Sequence, residues 1–293
     1  MKRNQTNKIQ THIWNALPFA VFGILLLYVI LYTPDQAQLS PQEEESYTYE
    51  IEQPSFPCRH IAHAGGEVNG IVYSNSLEAL NKNYRFDFRC FEIDGNWSSD
   101  GHLVAVHDWH NIFTTLFPGA DIKIPKREEF SKLKMVEKLT PLSFHDIIHW
   151  LIFHPDAYII TDIKSSNREG LNYLAKEINR LNQTKLFQRI IPEVFTPEDF
   201  DFIKELGFQK YIFSLYNNPN TVEELILQIE QTRDIYGVAM PLELYENEPE
   251  LIQMLQNRNI PYFVHTINEV EVRQNILKYR YGGIYTDILF PGY

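Results

Sequence analysis

Between residues 59 and 287, short apolar runs alternate with stretches of helical periodicity, and no feature of the sequence restricts the possible folds more tightly. Such alternation is the mark of a parallel α/β fold. The runs at 60–63, 90–94, 103–107, 158–163, 190–194, 211–215, 237–240, 262–265 and 283–286 read as strands. Between them, 74–84, 143–153, 168–181, 197–206, 221–231, 248–257 and 268–278 read as helices. Ser143, Thr196 before Pro197, and Asn268 supply helix-start signals. The expected architecture is a (β/α)8 TIM-like barrel, somewhat irregular. Nine candidates compete for eight places, so either 237–240 is irregular or one strand sits outside. The link from Asp94 to Leu103 is also shorter than the dozen or so residues that a parallel crossover needs, and it contains the turn pair Asp100-Gly101.

Polar clusters follow several of these runs: His63-Ala64-Gly65-Gly66, Glu92-Ile93-Asp94, and His107-Asp108. In a barrel, strand C-termini are where catalytic groups emerge. Glu92 and Asp94 are two apart on a strand, so they share one face. Inside a barrel, unpaired carboxylates are costly. A hard divalent cation with a preference for oxygen ligands, Ca²⁺ or Mg²⁺, resolves that cost; arginines or backbone amides are the other resolution. His63 and His107 titrate near neutrality and so suit proton transfer in both directions. The bland alternative for either one is a hydrogen-bonded structural histidine.

Taken in order, these pieces resemble the glycerophosphodiester phosphodiesterase family, within the larger group of phospholipase C-like phosphodiesterases. The resemblance extends to Pro141-Leu142-Ser143, to Asp162-Ile163-Lys164 and to Gly283-Ile284-Tyr285-Thr286-Asp287, covering about residues 59 to 291. It implies that His63 and His107 form the acid–base pair, and that Asp162 joins Glu92 and Asp94 as the third metal ligand. Lys164 then touches phosphate. The reaction implied is phosphodiester hydrolysis, in which the substrate's own neighbouring hydroxyl attacks and a cyclic phosphate is opened by water. Asp162 stands where the family more often has Glu, so Glu193 is a second candidate carboxylate. Ala64 replaces the Arg that usually follows the first His. Asn75 and Ser76 stand where the family tends to have Glu and Asn, and His265-Thr266 where it usually has Trp-Thr, which makes His265 a possible substrate contact. These departures motivate a second reading, a catalytically inactive barrel acting as a membrane-anchored binding or scaffold protein. His145-Asp146-Ile147-Ile148-His149 approaches the zinc-protease motif but lacks its glutamate.

Residues 13–33 carry no charge and are long enough to cross a bilayer as a helix. Lys2, Arg3 and Lys8 precede them, while Asp35 and Glu43-Glu44-Glu45 follow. The positive-inside bias then places 1–12 in the cytoplasm and everything after residue 33 outside it. A cleaved signal peptide is the rival reading. Residues 34–57 read as a polar linker and 58–293 as the catalytic domain. The net charge of −12, with no basic run, argues against a nucleic-acid partner. The expected partners are the membrane, through the N-terminal helix, and a phosphodiester. That diester could be a small molecule, a lysophospholipid headgroup or a phosphate-linked surface polymer. Cys58 and Cys90 precede neighbouring strands, and a disulfide and two buried thiols both fit their positions.

Overall fold

The computed structural model describes residues 56–292 apart from 122, 217, 233 and 234. The segments 1–12 and 13–33, and the linker 34–57 up to residue 55, lie outside the described residues. Among the described residues no helix is long and apolar enough to cross a membrane.

The strands are β1 (His60–Ala62), β2 (Cys90–Trp97), β3 (Leu103–Ala105), β4 (Tyr158–Ile163), β5 (Ile190–Val194), β6 (Ile212–Ser214), β7 (Gly237–Pro241), β8 (Tyr262–His265) and β9 (Gly282–Thr286). All except β3 pair in parallel, and β1 closes the ring by pairing with both β2 and β9. The result is a closed eight-stranded parallel barrel. The surplus candidate is therefore the run at 103–107, not the one at 237–240, which forms the regular strand β7. β2 continues past the barrel rim, and Gly95–Trp97 pair antiparallel with β3. A tight turn makes this possible: Gly101 has a φ of +76°, and its N–H donates to the Ser98 carbonyl at 3.1 Å. The short link is thus a hairpin rather than a crossover.

Helices follow the strands as α1 (Leu77–Arg85), α2 (Asn111–Leu116), α3 (Arg127–Phe130), α4 (Phe144–Phe153), α5 (Asn167–Arg180), α6 (Asp199–Glu205), α7 (Val222–Gln231), α8 (Leu242–Asn247), α9 (Pro249–Asn257) and α10 (Val270–Leu277). Ser143 caps α4 as its sequence predicts, in a reciprocal pair with Asp146. Two other starts differ. Thr196 hydrogen-bonds the Asp199 carboxylate at 3.1 Å while α6 begins at Asp199. Asn268 is used elsewhere, and α10 begins at Val270.

The strands bury both faces, so they are nearly continuous in apolar residues. Their outward residues pack under the helices, and their inward ones fill the barrel with Ile61, Ile160, Ile191, Ile212 and Phe263. Phe56 plugs the floor of this interior, 4.4 Å from the Phe263 ring and 4.9 Å from that of Tyr236. Beside it, Cys58 and Cys90 form a disulfide with a Cα–Cα distance of 6.1 Å. Between β3 and α4, residues 106–142 form an insertion with a small core of its own. Trp109, Phe113, Phe117 and Phe130 pack there against Val104 and Ala79.

Candidate active site

The register between β2 and β4 sets Asp94 directly opposite Asp162, with Glu92 two residues earlier on the same face of β2. Oxygens of these three carboxylates lie within 4.8 Å of one another. Glu92 is 3% and Asp94 1% exposed. Glu92 Oε2 accepts the Ala64 N–H at 2.7 Å, while its buried Oε1 has no hydrogen-bond partner. Asn75 clamps Asp94 from two directions: its Nδ2 donates to Asp94 Oδ2 at 2.9 Å and its Oδ1 accepts the Asp94 N–H at 3.1 Å. Lys164 Nζ lies 2.7 Å from Asp94 Oδ1 and 2.6 Å from Asp162 Oδ2.

These charges act strongly on one another. Burial, and then the neighbouring Asp94, hold the Glu92 carboxyl well above the usual carboxylate range. Burial also pushes Asp94 up, but Lys164 and the two histidines outweigh it and leave Asp94 below its ordinary value. Asp162 is raised, by burial first and with Asp94 adding to it against the pull of Lys164. For Lys164, burial works against the charge, yet Asp94, Asp162 and Glu92 together raise it. Three carboxylates against one ammonium, with an orphaned buried oxygen among them, fit an additional hard divalent cation.

The histidines approach from two loops. β1 ends at Ala62, so His63 opens a short 3-10 turn, His63–Gly65, rather than closing a strand. Gly66, with a φ of +83°, lets the chain double back, since a Cβ there would lie 2.5 Å from Asn83 Nδ2. The same turn aims the Ala64 N–H at Glu92. His107 follows β3, outside the barrel, and is carried by the insertion. Each ring has its own carboxylate: His63 Nδ1 is 2.8 Å from Asp287 Oδ1, and His107 Nδ1 is 3.0 Å from Asp108 Oδ2. Asp287 is held by Asn268, whose Nδ2 donates to Asp287 Oδ2 at 2.7 Å and whose Oδ1 accepts the Asp287 N–H at 2.9 Å. Asp108 accepts the His110 N–H at 2.8 Å ahead of α2. With carboxylates on both Nδ1 atoms, Nε2 of each ring is the nitrogen that could exchange a proton with a ligand.

Both histidines, Glu92, Asp162 and Lys164 line one cavity of about 380 Å³ at the C-terminal mouth of the barrel. The sequence pattern of the glycerophosphoryl diester phosphodiesterase family matches residues 63–289. The chain belongs to that family. It is accordingly a phosphoric diester hydrolase.

Solved phosphodiesterases share its fold. A glycerophosphodiester phosphodiesterase from Thermotoga maritima is 24% identical, with a TM-score of 0.58 over 78% of this chain and 94% of that one. A putative one from Galdieria sulphuraria is 15% identical, with a TM-score of 0.62 over 78% and 93%. An Oleispira antarctica phosphodiesterase, solved with its product sn-glycerol-3-phosphate, is 14% identical, with a TM-score of 0.60 over 78% and 93%. No curated protein matches this phosphodiesterase in sequence.

The remaining predicted residues divide. Glu193 lines the cavity but stands apart from the carboxylate group, and its carboxyl accepts the Tyr285 hydroxyl at 2.5 Å. Burial, and then Asp162, push it up to about 8. His265 lines the cavity as well; burial, followed by His63 and Lys164, lowers it to about 4, so at neutral pH it is an uncharged wall. Asn75 holds Asp94, while Ser76 accepts the Ala79 N–H at 3.2 Å to cap α1 and its hydroxyl meets that of Ser74 at 2.9 Å. His145 lies on α4 beside Glu177, at 3.2 Å, and takes no part in the site. Sequence reasoning left Asp287, Asp108 and Tyr73 without roles and read Asn268 only as a helix start. Thr-Asp closing the last strand and Asp after His107 were visible signals for the first two; nothing in the local pattern tied Asn268 or Tyr73 to the site.

Proposed function

We propose that this phosphodiesterase hydrolyses glycerophosphodiester-like substrates, with His63 and His107 moving the protons beside one divalent cation, Ca²⁺ or Mg²⁺. The observation that carries this reading is the pair of carboxylate-oriented imidazoles facing one cavity with the acidic group. Glu92, Asp94 and Asp162 would hold the cation. When bound, it would supply Lewis-acid stabilisation to phosphoryl oxygens. Lys164 adds a second positive charge for the charge that develops there.

One histidine takes the proton of the hydroxyl next to the phosphate, and that oxygen attacks phosphorus. The bond to the leaving alcohol breaks, and the other histidine protonates the alkoxide. The products at this stage are a cyclic phosphate and a free alcohol. The roles then reverse. The second histidine takes a proton from water, the water oxygen bonds to phosphorus, the ring P–O bond breaks, and the first histidine returns its proton. Both histidines end as they began, with one water consumed.

The experiment is an assay of the full-length chain in detergent against glycerophosphocholine and bis(p-nitrophenyl) phosphate, after chelation and with Ca²⁺ or Mg²⁺ restored. The second ester lacks a neighbouring hydroxyl. The expected result is metal-dependent cleavage of glycerophosphocholine that disappears in His107→Ala. Undiminished activity in that variant would sink the mechanism.

Residues 13–33 would anchor the enzyme, placing the barrel on the extracytoplasmic side, near lysophospholipid headgroups or a phosphate-linked surface polymer. The Cys58–Cys90 disulfide supports an oxidising compartment. Protease added to intact cells should then digest the catalytic domain; its full protection would exclude this orientation.

A further inference from the structure

Tyr73 lines the catalytic cavity and has no part in the scheme above. We propose that Tyr73 is a positioning residue, a wedge whose ring fixes the orientation of both imidazoles at once. The inference rests on reading His63 and His107 as the proton-transfer pair.

The geometry is symmetrical in kind. The Tyr73 ring meets His63 at 4.7 Å between centroids with an interplanar angle of 82°, and His107 at 5.5 Å with an angle of 90°. Edge-to-face contact is an arrangement that aromatic rings favour. The side-chain hydrogen bond of each imidazole is the one from Nδ1 to its carboxylate, which restrains rotation about χ2 at one point of the ring. A flat ring against both restrains that rotation further in both.

The backbone points the same way. Tyr73 has a φ of +60°, a region that bulky side chains rarely adopt. Strain of this kind persists only where the surroundings impose it, and it concentrates at functional sites. Asn75, two residues on, clamps Asp94 and also donates from Nδ2 to the Tyr73 carbonyl at 3.4 Å. The loop that fixes a carboxylate of the acidic group therefore fixes the wedge too. Burial, followed by Asp287, Asp94 and Glu92, raises the phenol, so the ring contributes shape rather than charge.

The test compares Tyr73→Phe, which keeps the ring, with Tyr73→Leu, which keeps only apolar bulk, both in the full-length chain. Tyr73→Phe should hold kcat within about threefold of wild type. Tyr73→Leu should lose kcat by about 10–100-fold with KM within about threefold, the scale expected from misplaced reacting groups. Nitrogen-15 NMR supplies a readout independent of turnover: the His63 and His107 ring-nitrogen resonances, which report the tautomer and the Nδ1 hydrogen bond rather than the ring current, should shift in Tyr73→Leu and stay in place in Tyr73→Phe. If the leucine variant does not fold, Tyr73→Asn takes its place with the same outcomes, since Asn tolerates a left-handed backbone. Wild-type kcat or unmoved imidazole resonances in the ring-less variant would overturn the wedge. So would equal damage in Tyr73→Phe, which would assign the role to the hydroxyl. A wild-type chain without phosphodiesterase turnover would defeat the proposed function instead, and the resonances would still decide the wedge.

Discussion

In the proposed reaction an imidazole takes a proton in one step and returns it in the next, and this requires one tautomer, fixed through the ring's other nitrogen. Asp287 would do this for His63, and it is itself held by both ends of the Asn268 amide. Asp287→Asn should therefore lower kcat by on the order of 10²-fold, with cation binding, measured by calorimetry, unchanged. Another histidine affects stability rather than catalysis. His60, whose Nε2 is buried without a hydrogen bond, is lowered to about 4 by burial, then by Arg273 and Arg59. Its ordinary value is near 6.5, so between pH 6.5 and about 4 the unfolded chain binds a proton that the folded one refuses. The stability it provides is complete above pH 6.5 and falls as the pH drops, by up to about 1.4 kcal/mol per unit. Urea titrations across that window should show a flatter pH slope for His60→Gln than for wild type.

At the scale of elements, the hairpin is the decisive departure from the regular repeat. β2 delivers Glu92 and Asp94 to the barrel and then pairs with β3, which leads into the insertion bearing His107. The insertion's aromatic cluster thus holds in place the loop that carries His107. Phe130→Ala should cost about 3–5 kcal/mol within that cluster, and kcat should fall in conditions where circular dichroism still reports an intact barrel. The strand runs were legible because the strands are nearly continuous in apolar residues, and the candidate site residues because they sit at or just beyond the ends of those runs. The hairpin was legible only as a contradiction, a link too short for a helix. Its resolution lay in pairing between Gly95–Trp97 and Leu103–Ala105, and local periodicity carries no information about a partner strand. The Asn268–Asp287 clamp was hidden for a related reason: Asn268 has the look of a helix cap, and only the fold shows the carboxylate that claims it. The disulfide was one of two readings that strand adjacency allowed. It closes a loop spanning 32 residues, so reduction should lower the unfolding free energy by about 3–4 kcal/mol, measurable as a shift in the denaturant midpoint.

For the whole molecule, the carboxylate group is a concentration of like charge that the fold tolerates through a single lysine. Ca²⁺ or Mg²⁺ should therefore raise the thermal unfolding midpoint in a concentration-dependent way, since a ligand that binds only the folded form stabilises it. Ala substitutions at both Glu92 and Asp94 should abolish that rise. The barrel's opposite end has a different consequence, for where the chain can be cut. Phe56 and Cys58 come before the first strand, yet they seal the floor against Phe263, Tyr236 and Cys90. A protease trimming the chain back to residue 55 would release a corked vessel, but three residues further in it would draw the cork.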